Sequence, residues 1–107
     1  MSYTDLPLAD YFAQFAESEG TDYQLIDVRE TDEFADGHLP NTVNIPLSEL
    51  EERYGEIGSD SPIVLVCARG GRSAQAAEYM AAQGYTNLYN LMGGTLGYIS
   101  AGYTVEK

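Results

Sequence analysis

The chain has 107 residues, which is enough for one domain (1–107) with one modest core. Hydrophobic residues make up 44% of it and charged residues 21%, as is typical of a globular protein. Its 17 acidic residues against five basic ones give a formal net charge of −12 at pH 7. This charge argues against nucleic acids and anionic membranes as partners.

Cysteine usage and hydrophobicity suggest where the protein works. Cys67 is the single cysteine, so the sequence offers neither an internal disulfide nor a zinc site built on cysteines. Residues 1–5 lack a basic region followed by an apolar stretch, and no segment reaches transmembrane length. We therefore expect a cytoplasmic protein that needs no metal and no cofactor.

The spacing of apolar residues and the positions of Gly and Pro divide the chain into alternating helices and strands. In chain order the sequence predicts a helix over Leu6–Glu19, a strand over Tyr23–Val28, a helix over Thr31–Asp36, a strand over Thr42–Ile45, a helix over Ser48–Ile57, a strand over Ile63–Val66, a helix over Ala74–Gln83, a strand over Thr86–Leu91 and a short helix leading to Gly102.

Capping residues are expected at several of these boundaries. Thr31 and Ser73 are the predicted N-caps of their helices, and Ser48 with Glu51 fits a capping box. Glycines are expected to end three of the helices, at Gly20, Gly37 and Gly84.

The alternation of strands and helices predicts an α/β fold, with a mostly parallel sheet and helices on both faces. Ligands of such sheets bind beyond the carboxyl ends of the strands. Cys67 directly follows the buried strand Ile63–Val66, so it lies at such an end.

The loop between that strand and the next helix combines a thiol with groups that attract anions. It consists of Cys67, Ala68, Arg69, Gly70, Gly71, Arg72 and Ser73. The two glycines let several N–H groups point at one spot, and the helix N-terminus adds partial positive charge there. Together with both arginines, this field is expected to lower the pKa of Cys67 from its usual value of about 8.5. A buried structural cysteine is the alternative, but the flanking residues favour a nucleophile for an anionic substrate.

Three further polar residues need an interpretation. Asp27 and Arg29 lie at the carboxyl end of a predicted strand, close to the loop if the two strands are neighbours. One hypothesis is that Arg29 adds to the field of the site. We favour the other, in which Asp27 and Arg29 pair with each other or with loop backbone and so support the site. His38, in a turn before Pro40, is expected to make a structural hydrogen bond rather than to act as a base for Cys67.

Three blocks of sequence, taken together and in order, resemble the signatures of the single-domain rhodaneses, which are sulfurtransferases. They comprise Leu25–Glu30, Glu33–Phe34, Gly37–Pro40 and Asn44–Leu47 in the first block, Cys67–Ser73 with an alanine-rich helix in the second, and Leu91–Gly94 in the third. Two positions depart from the family pattern. Asn41 stands where glycine is common, but asparagine tolerates left-handed backbone. Tyr98 stands in the region where a tryptophan is often found, and is expected to pack in its place.

The resemblance implies a rhodanese-like three-layer fold with about five strands, and a known reaction. The Cys67 thiolate would attack the terminal sulfur of a donor such as thiosulfate, release sulfite and hold a persulfide. Cyanide, a thiol or an acceptor protein would then take the sulfur. In this reaction the amides of residues 68–72 would hold the persulfide, and Arg69 or Arg72 would bind the sulfonate of the donor.

Two alternatives to this reaction stay open. Cysteine phosphatases and arsenate reductases have a similar cradle, but they place five residues between cysteine and arginine. Cys67 and Arg72 enclose four, and this tighter ring suits a sulfur atom better than a tetrahedral phosphate. The second alternative is a persulfide carrier or a partner-docking rhodanese module, which the sequence does not separate from a catalyst.

Overall fold

The computed structural model describes residues 2–17 and 22–107. Within them, five strands form one parallel sheet, in the spatial order first, fifth, fourth, second, third. The strands are β1 Thr4–Leu6, β2 Gln24–Asp27, β3 Val43–Asn44, β4 Ile63–Val66 and β5 Leu88–Leu91. The predicted α/β fold with a parallel sheet is confirmed.

Helical segments connect these strands. They are α1 Leu8–Tyr11 with a π-helical continuation over Phe12–Ala16, α2 Thr31–Asp36, α3 Leu47–Arg53 with a 3₁₀ turn over Tyr54–Glu56, α4 Gly71–Ala82 and α5 Gly94–Ser100. Among the described residues, none of these helices has the length and apolar character needed to cross a membrane.

The core lies on both faces of the sheet. Alternate residues of β4 point to opposite sides, as the pleat of a strand requires, and all four are fully buried. On one face, Ile63 and Leu65 pack in a cluster with residues of α3 and α4. On the other face, Val64 and Val66 pack with residues of α1, its π-helical continuation and α5. The fold therefore has three layers, and β4 lies at its centre.

The predicted start of the first helix, at Leu6, is wrong. Leu6 belongs to β1, which pairs with β5, and α1 begins only at Leu8. Two of the three residues of β1 are exposed, so the strand has no apolar pattern that the sequence could reveal. The predicted end of this helix, at Glu19 and Gly20, lies outside the described residues.

The predicted N-caps are also wrong. The N-cap of α2 is Glu30 rather than Thr31, and the N–H of Glu30 donates to the Glu33 side chain at 3.1 Å. Helix α3 begins one residue early, after Pro46, so that Ser48 is inside it and donates its hydroxyl to Glu30. No capping box therefore forms between Ser48 and Glu51.

Helix α4 likewise begins earlier than the sequence predicts. Its N-cap is Gly70, whose φ of 108° puts it in a left-handed conformation that favours glycine. Ser73 therefore lies in the first turn and is fully buried. The expected helix ends hold, because Gly37 directly follows α2 and Gly84 follows α4 with a φ of 100°.

Candidate active site

Cys67 is the first residue after β4, between the carboxyl ends of β2 and β5. Cys67 is only 1% exposed, and its side chain belongs to the cluster on the α4 face of the sheet. Because β4 is the central strand of a parallel sheet, the loops that follow both neighbouring strands begin at the same edge of the sheet as Cys67. This is the position that the parallel sheet predicts for a ligand site.

The loop after Cys67 turns its amides towards the sulfur. The N–H of Gly70 donates to the Cys67 Sγ at 3.0 Å, and the Ser73 hydroxyl lies 3.3 Å from the same atom. The left-handed conformation of Gly70 makes this turn, and α4 begins at Gly71 immediately after it. The loop thus curls back on itself, so that an amide three residues after Cys67 reaches the sulfur.

The carbonyl groups of the loop are held on the other side, by α5. The N–H of Thr95 donates to the Cys67 carbonyl at 2.9 Å, and the N–H of Leu96 donates to the Ala68 carbonyl at 3.0 Å. Gly94 makes this contact close, because a Cβ atom at this position would lie 2.3 Å from the Cys67 carbonyl oxygen. Helix α5 therefore keeps the negative ends of these peptide dipoles away from the sulfur. The sequence interpretation missed this role, although Gly94 stands in the third signature block.

Two opposing effects act on the pKa of Cys67. Burial raises the pKa, because it removes the thiolate from water. Hydrogen bonds from the Ser73 hydroxyl and from the amides of Ser73, Gly70 and Arg69 lower it, and together they outweigh burial. The net shift is downward from the ordinary value, as the sequence predicts. Backbone and hydroxyl dipoles, not burial, make this thiol acidic.

The two arginines of the loop differ in their surroundings. Arg72 binds the Glu33 carboxylate with two hydrogen bonds of 2.7 and 2.9 Å, so its charge is already balanced by α2. Arg69 is exposed, and none of the ion pairs among the described residues involves it. The sequence interpretation missed Glu33, since nothing in the sequence singles out this acid as the partner of a residue 39 positions away.

Asp27 and Arg29 form a buried pair, as the favoured interpretation predicts. Arg29 donates to the Asp27 carboxylate at 2.8 Å and to the Gly37 carbonyl at 2.7 Å. Both residues are less than 8% exposed. The pair therefore fixes the segment between β2 and the turn after α2 and does not reach Cys67 directly.

His38 is also structural. Its Nδ1 lies 2.8 Å from the Phe34 carbonyl, its ring stacks on Phe34 with the centroids 3.8 Å apart, and its backbone bridges to Glu106. The two family departures are accommodated as expected. Asn41 adopts a left-handed φ of 65°, and Tyr98 is buried and stacks with Tyr103.

Asn90 is a further residue of the site that the sequence interpretation missed. It lies on β5, is 5% exposed and accepts a hydrogen bond of 2.5 Å from the Ser73 hydroxyl. An asparagine inside the otherwise hydrophobic strand Leu88–Leu91 is the signal that the sequence offers. Within the described part of the chain, no group of three or more His, Cys, Asp or Glu side chains is arranged to hold a metal ion.

A model of the rhodanese-like domain family matches residues 8–101. The chain belongs to this family. The crystal structure of a rhodanese-related protein from Thermoplasma volcanium superposes with a TM-score of 0.85 at 34% identity, and the match covers 97% of this chain and 98% of that one. The predicted resemblance and the three-layer rhodanese fold are confirmed.

Several curated proteins are related to this rhodanese-like domain. YqhL of Bacillus subtilis is 49% identical over 71 residues, which are 66% of this chain and 56% of that protein. YrkF of the same organism, whose name describes a sulfur carrier protein, is 39% identical over 65% of this chain and 38% of its own length. The thiosulfate sulfurtransferase GlpE of Shewanella oneidensis is 34% identical over 72% of this chain and 76% of its own. These relatives support sulfur transfer or sulfur carriage in general, without naming a substrate for this chain.

Proposed function

We propose that this rhodanese is a sulfurtransferase that accepts the outer sulfur atom of thiosulfate, or of a related donor, on Cys67. The observation that carries the proposal is the environment of the Cys67 sulfur. The sulfur accepts a hydrogen bond of 3.0 Å from the Gly70 N–H, and the Ser73 hydroxyl lies 3.3 Å away. These donors lower the pKa of the thiol, so that the reactive thiolate forms without a separate base. The relation to a thiosulfate sulfurtransferase supports the choice of donor.

The reaction has two displacements. The Cys67 thiolate attacks the outer sulfur of thiosulfate, the S–S bond of the donor breaks, and sulfite leaves with the bonding electron pair. The product is a Cys67 persulfide anion. In the second step a thiolate or cyanide attacks the outer sulfur of the persulfide, and the Cys67 thiolate is released. Charge and sulfur balance in both steps, so no oxidant or reductant is needed.

Each residue of the loop has a role in this scheme. The amides of Arg69, Gly70 and Ser73 stabilise the persulfide anion as an oxyanion hole stabilises developing charge. Arg69 attracts the sulfonate of the donor, and Arg72 adds to this when it leaves Glu33. The carbonyl of Ala68 anchors the loop on α5, and Gly71 begins α4. The Asp27–Arg29 pair supports the site from β2.

A persulfide carrier is the second candidate, and one observation favours it. Glu33 neutralises Arg72, so that among ion pairs of the described residues Arg69 alone of the two loop arginines has no carboxylate partner, which weakens binding of a small anionic donor. A carrier would instead receive its sulfur from a protein. In that case thiosulfate would load the protein slowly, while transfer from the loaded protein to an acceptor thiol would stay fast.

The test is loading with thiosulfate in the absence of an acceptor. We expect the mass to increase by one sulfur atom, located on Cys67 by peptide mapping, and cyanide to remove the added sulfur. Cys67→Ser should fold, because the two side chains are similar in size, and should take up no sulfur. Steady-state turnover with thiosulfate and cyanide then separates catalyst from carrier. Sulfur uptake by Cys67→Ser, or none by the parent, overturns the proposal.

A further inference from the structure

A chain of polar contacts runs from the edge of the sheet to the nucleophile. Asp5 and Asn90 are register partners on β1 and β5, and the Asn90 side-chain amide donates to Asp5 Oδ1 at 3.1 Å. The Asn90 carbonyl oxygen accepts from the Ser73 hydroxyl at 2.5 Å, and that hydroxyl lies 3.3 Å from the Cys67 sulfur. Three contacts in series, through the side chains of Asn90 and Ser73, thus connect Asp5 to Cys67.

Asp5 determines which way the Asn90 amide points. A carboxylate only accepts hydrogen bonds, so it selects the NH₂ group of Asn90 and turns the carbonyl oxygen towards Ser73. Asn90 and Ser73 are both buried, with exposures of 5% and 0%, which leaves little water to replace the contact between them. An asparagine held in this way offers Ser73 an acceptor and no donor.

Ser73 therefore serves two acceptors with one hydrogen. A neutral Cys67 thiol can donate its own hydrogen to the Ser73 oxygen, while Ser73 donates to Asn90, and every group is satisfied. A Cys67 thiolate has no hydrogen, so it gains from Ser73 only if the hydroxyl turns away from Asn90. Asn90 and the charged sulfur thus compete for the same hydrogen.

We propose that Asn90 is a positioning residue of this site: fixed by Asp5, its carbonyl oxygen holds the Ser73 hydroxyl hydrogen away from the Cys67 sulfur until negative charge develops there. The proposal rests on the proposed use of Cys67 as a nucleophile. On ionisation the thiol proton leaves to solvent and the hydroxyl rotates, so no O–H bond is broken. Asn90 therefore keeps the uncharged thiol more favoured than it would be if the loop amides and an uncontested Ser73 hydroxyl acted together.

Other charged groups lie around the site. From the loop, α4, α2, β2 and β1 these are Arg69, Arg72 with its partner Glu33, Asp27 with its partner Arg29, and Asp5. Helix α5 brings no charged residue to the loop. Of these groups, only Asp5 binds Asn90 or Ser73 through its side chain in the described contacts. The contribution of the others is therefore the same in the parent and in variants of Asn90 and Ser73, and it cancels when their midpoints are compared.

The test is the pH profile of Cys67 alkylation by iodoacetamide, which reports the thiolate and needs no sulfur donor. Asn90→Ala should move the midpoint to lower pH by about half to one unit, the size that one net hydrogen bond corresponds to. Ser73→Ala should move it to higher pH. In the Ser73→Ala background, Asn90→Ala should have no further effect, because the hydrogen for which Asn90 competes is gone. A simple packing role for Asn90 would not depend on Ser73 in this way.

A second variant covers the case in which Asn90→Ala does not fold. Glu78 is an exposed acid of α4 that, like Asp5, acts on Tyr3, so Glu78→Gln is the control for the loss of one charge. Asp5→Asn no longer fixes the Asn90 amide, so it should lower the midpoint by more than Glu78→Gln does. In the Ser73→Ala background the two charge variants should be equivalent. An unchanged or raised midpoint in Asn90→Ala, or an equal shift with and without Ser73, overturns the proposal. If these midpoint shifts are observed but thiosulfate does not load sulfur on Cys67, the proposed function is overturned and the role of Asn90 stands.

Discussion

The ion pair between Arg72 and Glu33 limits the positive charge that the loop offers to a donor. Both nitrogens of the guanidinium fork bind the two carboxylate oxygens, which is the geometry that guanidinium groups also use for sulfonates. A donor must therefore compete with Glu33 for Arg72. Each side chain is about a third exposed, so the pair can open towards solvent.

Removing the competing carboxylate should speed up sulfur loading. Glu33→Gln frees Arg72 for the donor, and we expect the second-order rate constant for loading from thiosulfate to rise several-fold and at most about tenfold, since a tenfold change corresponds to about 1.4 kcal/mol. Asp32→Asn, in the same helix, is the matched control for the loss of one charge. The gain should disappear in the double variant Glu33→Gln/Arg72→Ala. A gain that survives without Arg72 would contradict this explanation.

The same pair makes stability depend on pH. Hydrogen bonds from Arg72 lower the pKa of Glu33 from its ordinary 4.5 to about 2. A carboxylate with a lowered pKa in the folded state stabilises the fold above the unfolded value, and this contribution is lost as the pH falls towards 2. Because the pair is partly exposed, screening keeps its contribution to about 0.2–1 kcal/mol.

Denaturation of the parent and of Glu33→Gln measures this contribution. The parent should be more stable at pH 6, and the difference in unfolding free energy should narrow between about pH 4.5 and pH 2. Arg72→Ala should show the same narrowing. A difference that is constant over this range would mean that the ion pair does not stabilise the fold.

Among the secondary-structure elements, α5 contacts the loop of Cys67 directly, although it begins 27 positions further along the chain. Its first amides bind the carbonyls of Cys67 and Ala68, and Gly94 permits this contact through a left-handed φ of 57°. The helix therefore holds the loop in the conformation in which its amides face the sulfur.

Gly94→Ala should disrupt this arrangement. The added Cβ would meet the Cys67 carbonyl oxygen at 2.3 Å and two atoms of Ala68 below 3.0 Å. Overpacking and left-handed strain together should lower the unfolding free energy by about 2–4 kcal/mol. Gly84→Ala is the control, because Gly84 also has a positive φ but no atom within 4 Å of an added Cβ, so it should lose only about 1 kcal/mol.

Cys67 alkylation distinguishes these two glycine variants further. It should slow in Gly94→Ala, since the displaced carbonyls would approach the thiolate, and should stay at the parental rate in Gly84→Ala. Equal losses of stability in both variants would show that backbone strain alone matters at Gly94.

An element can be predicted from the sequence when the interactions that form it join residues close together in the chain. The bounds of β4 and α2 were predicted because an apolar run and a local helix signal depend only on neighbouring residues. The N-cap of α4 was not, because the left-handed turn at Gly70 depends on how the loop closes around the sulfur. Strand β1 and the contact between Asp5 and Asn90 depend on a pairing 85 residues apart, which no local pattern contains.

For the molecule as a whole, the charge opposes the anionic donor that we propose. The formal net charge is −12, while Arg69 is the exposed cation of the loop. At low salt the distant acids repel thiosulfate over long range, whereas the arginine acts at contact. The Debye length is about 10 Å at 0.1 M salt, so moderate salt screens the distant charges more than the near one.

The second-order rate constant for thiosulfate should therefore rise, or hold steady, as salt increases towards 0.1 M. Iodoacetamide is uncharged, so its reaction with Cys67 at a pH above the thiol midpoint should not show such a rise. A steep fall for thiosulfate, with a salt anion shown not to compete for the loop, would mean that the local positive field dominates at long range.

The near-complete burial of Cys67 has a kinetic consequence. A cysteine residue that is 1% exposed, in a chain without a second thiol, has room for one reagent at a time and no other thiol of the chain to which it could pass its sulfur. Donor and acceptor must then take turns at the same opening, and sulfite has to depart before the acceptor enters. Double-reciprocal plots of turnover at several fixed acceptor concentrations should accordingly give parallel lines, the pattern of a ping-pong mechanism.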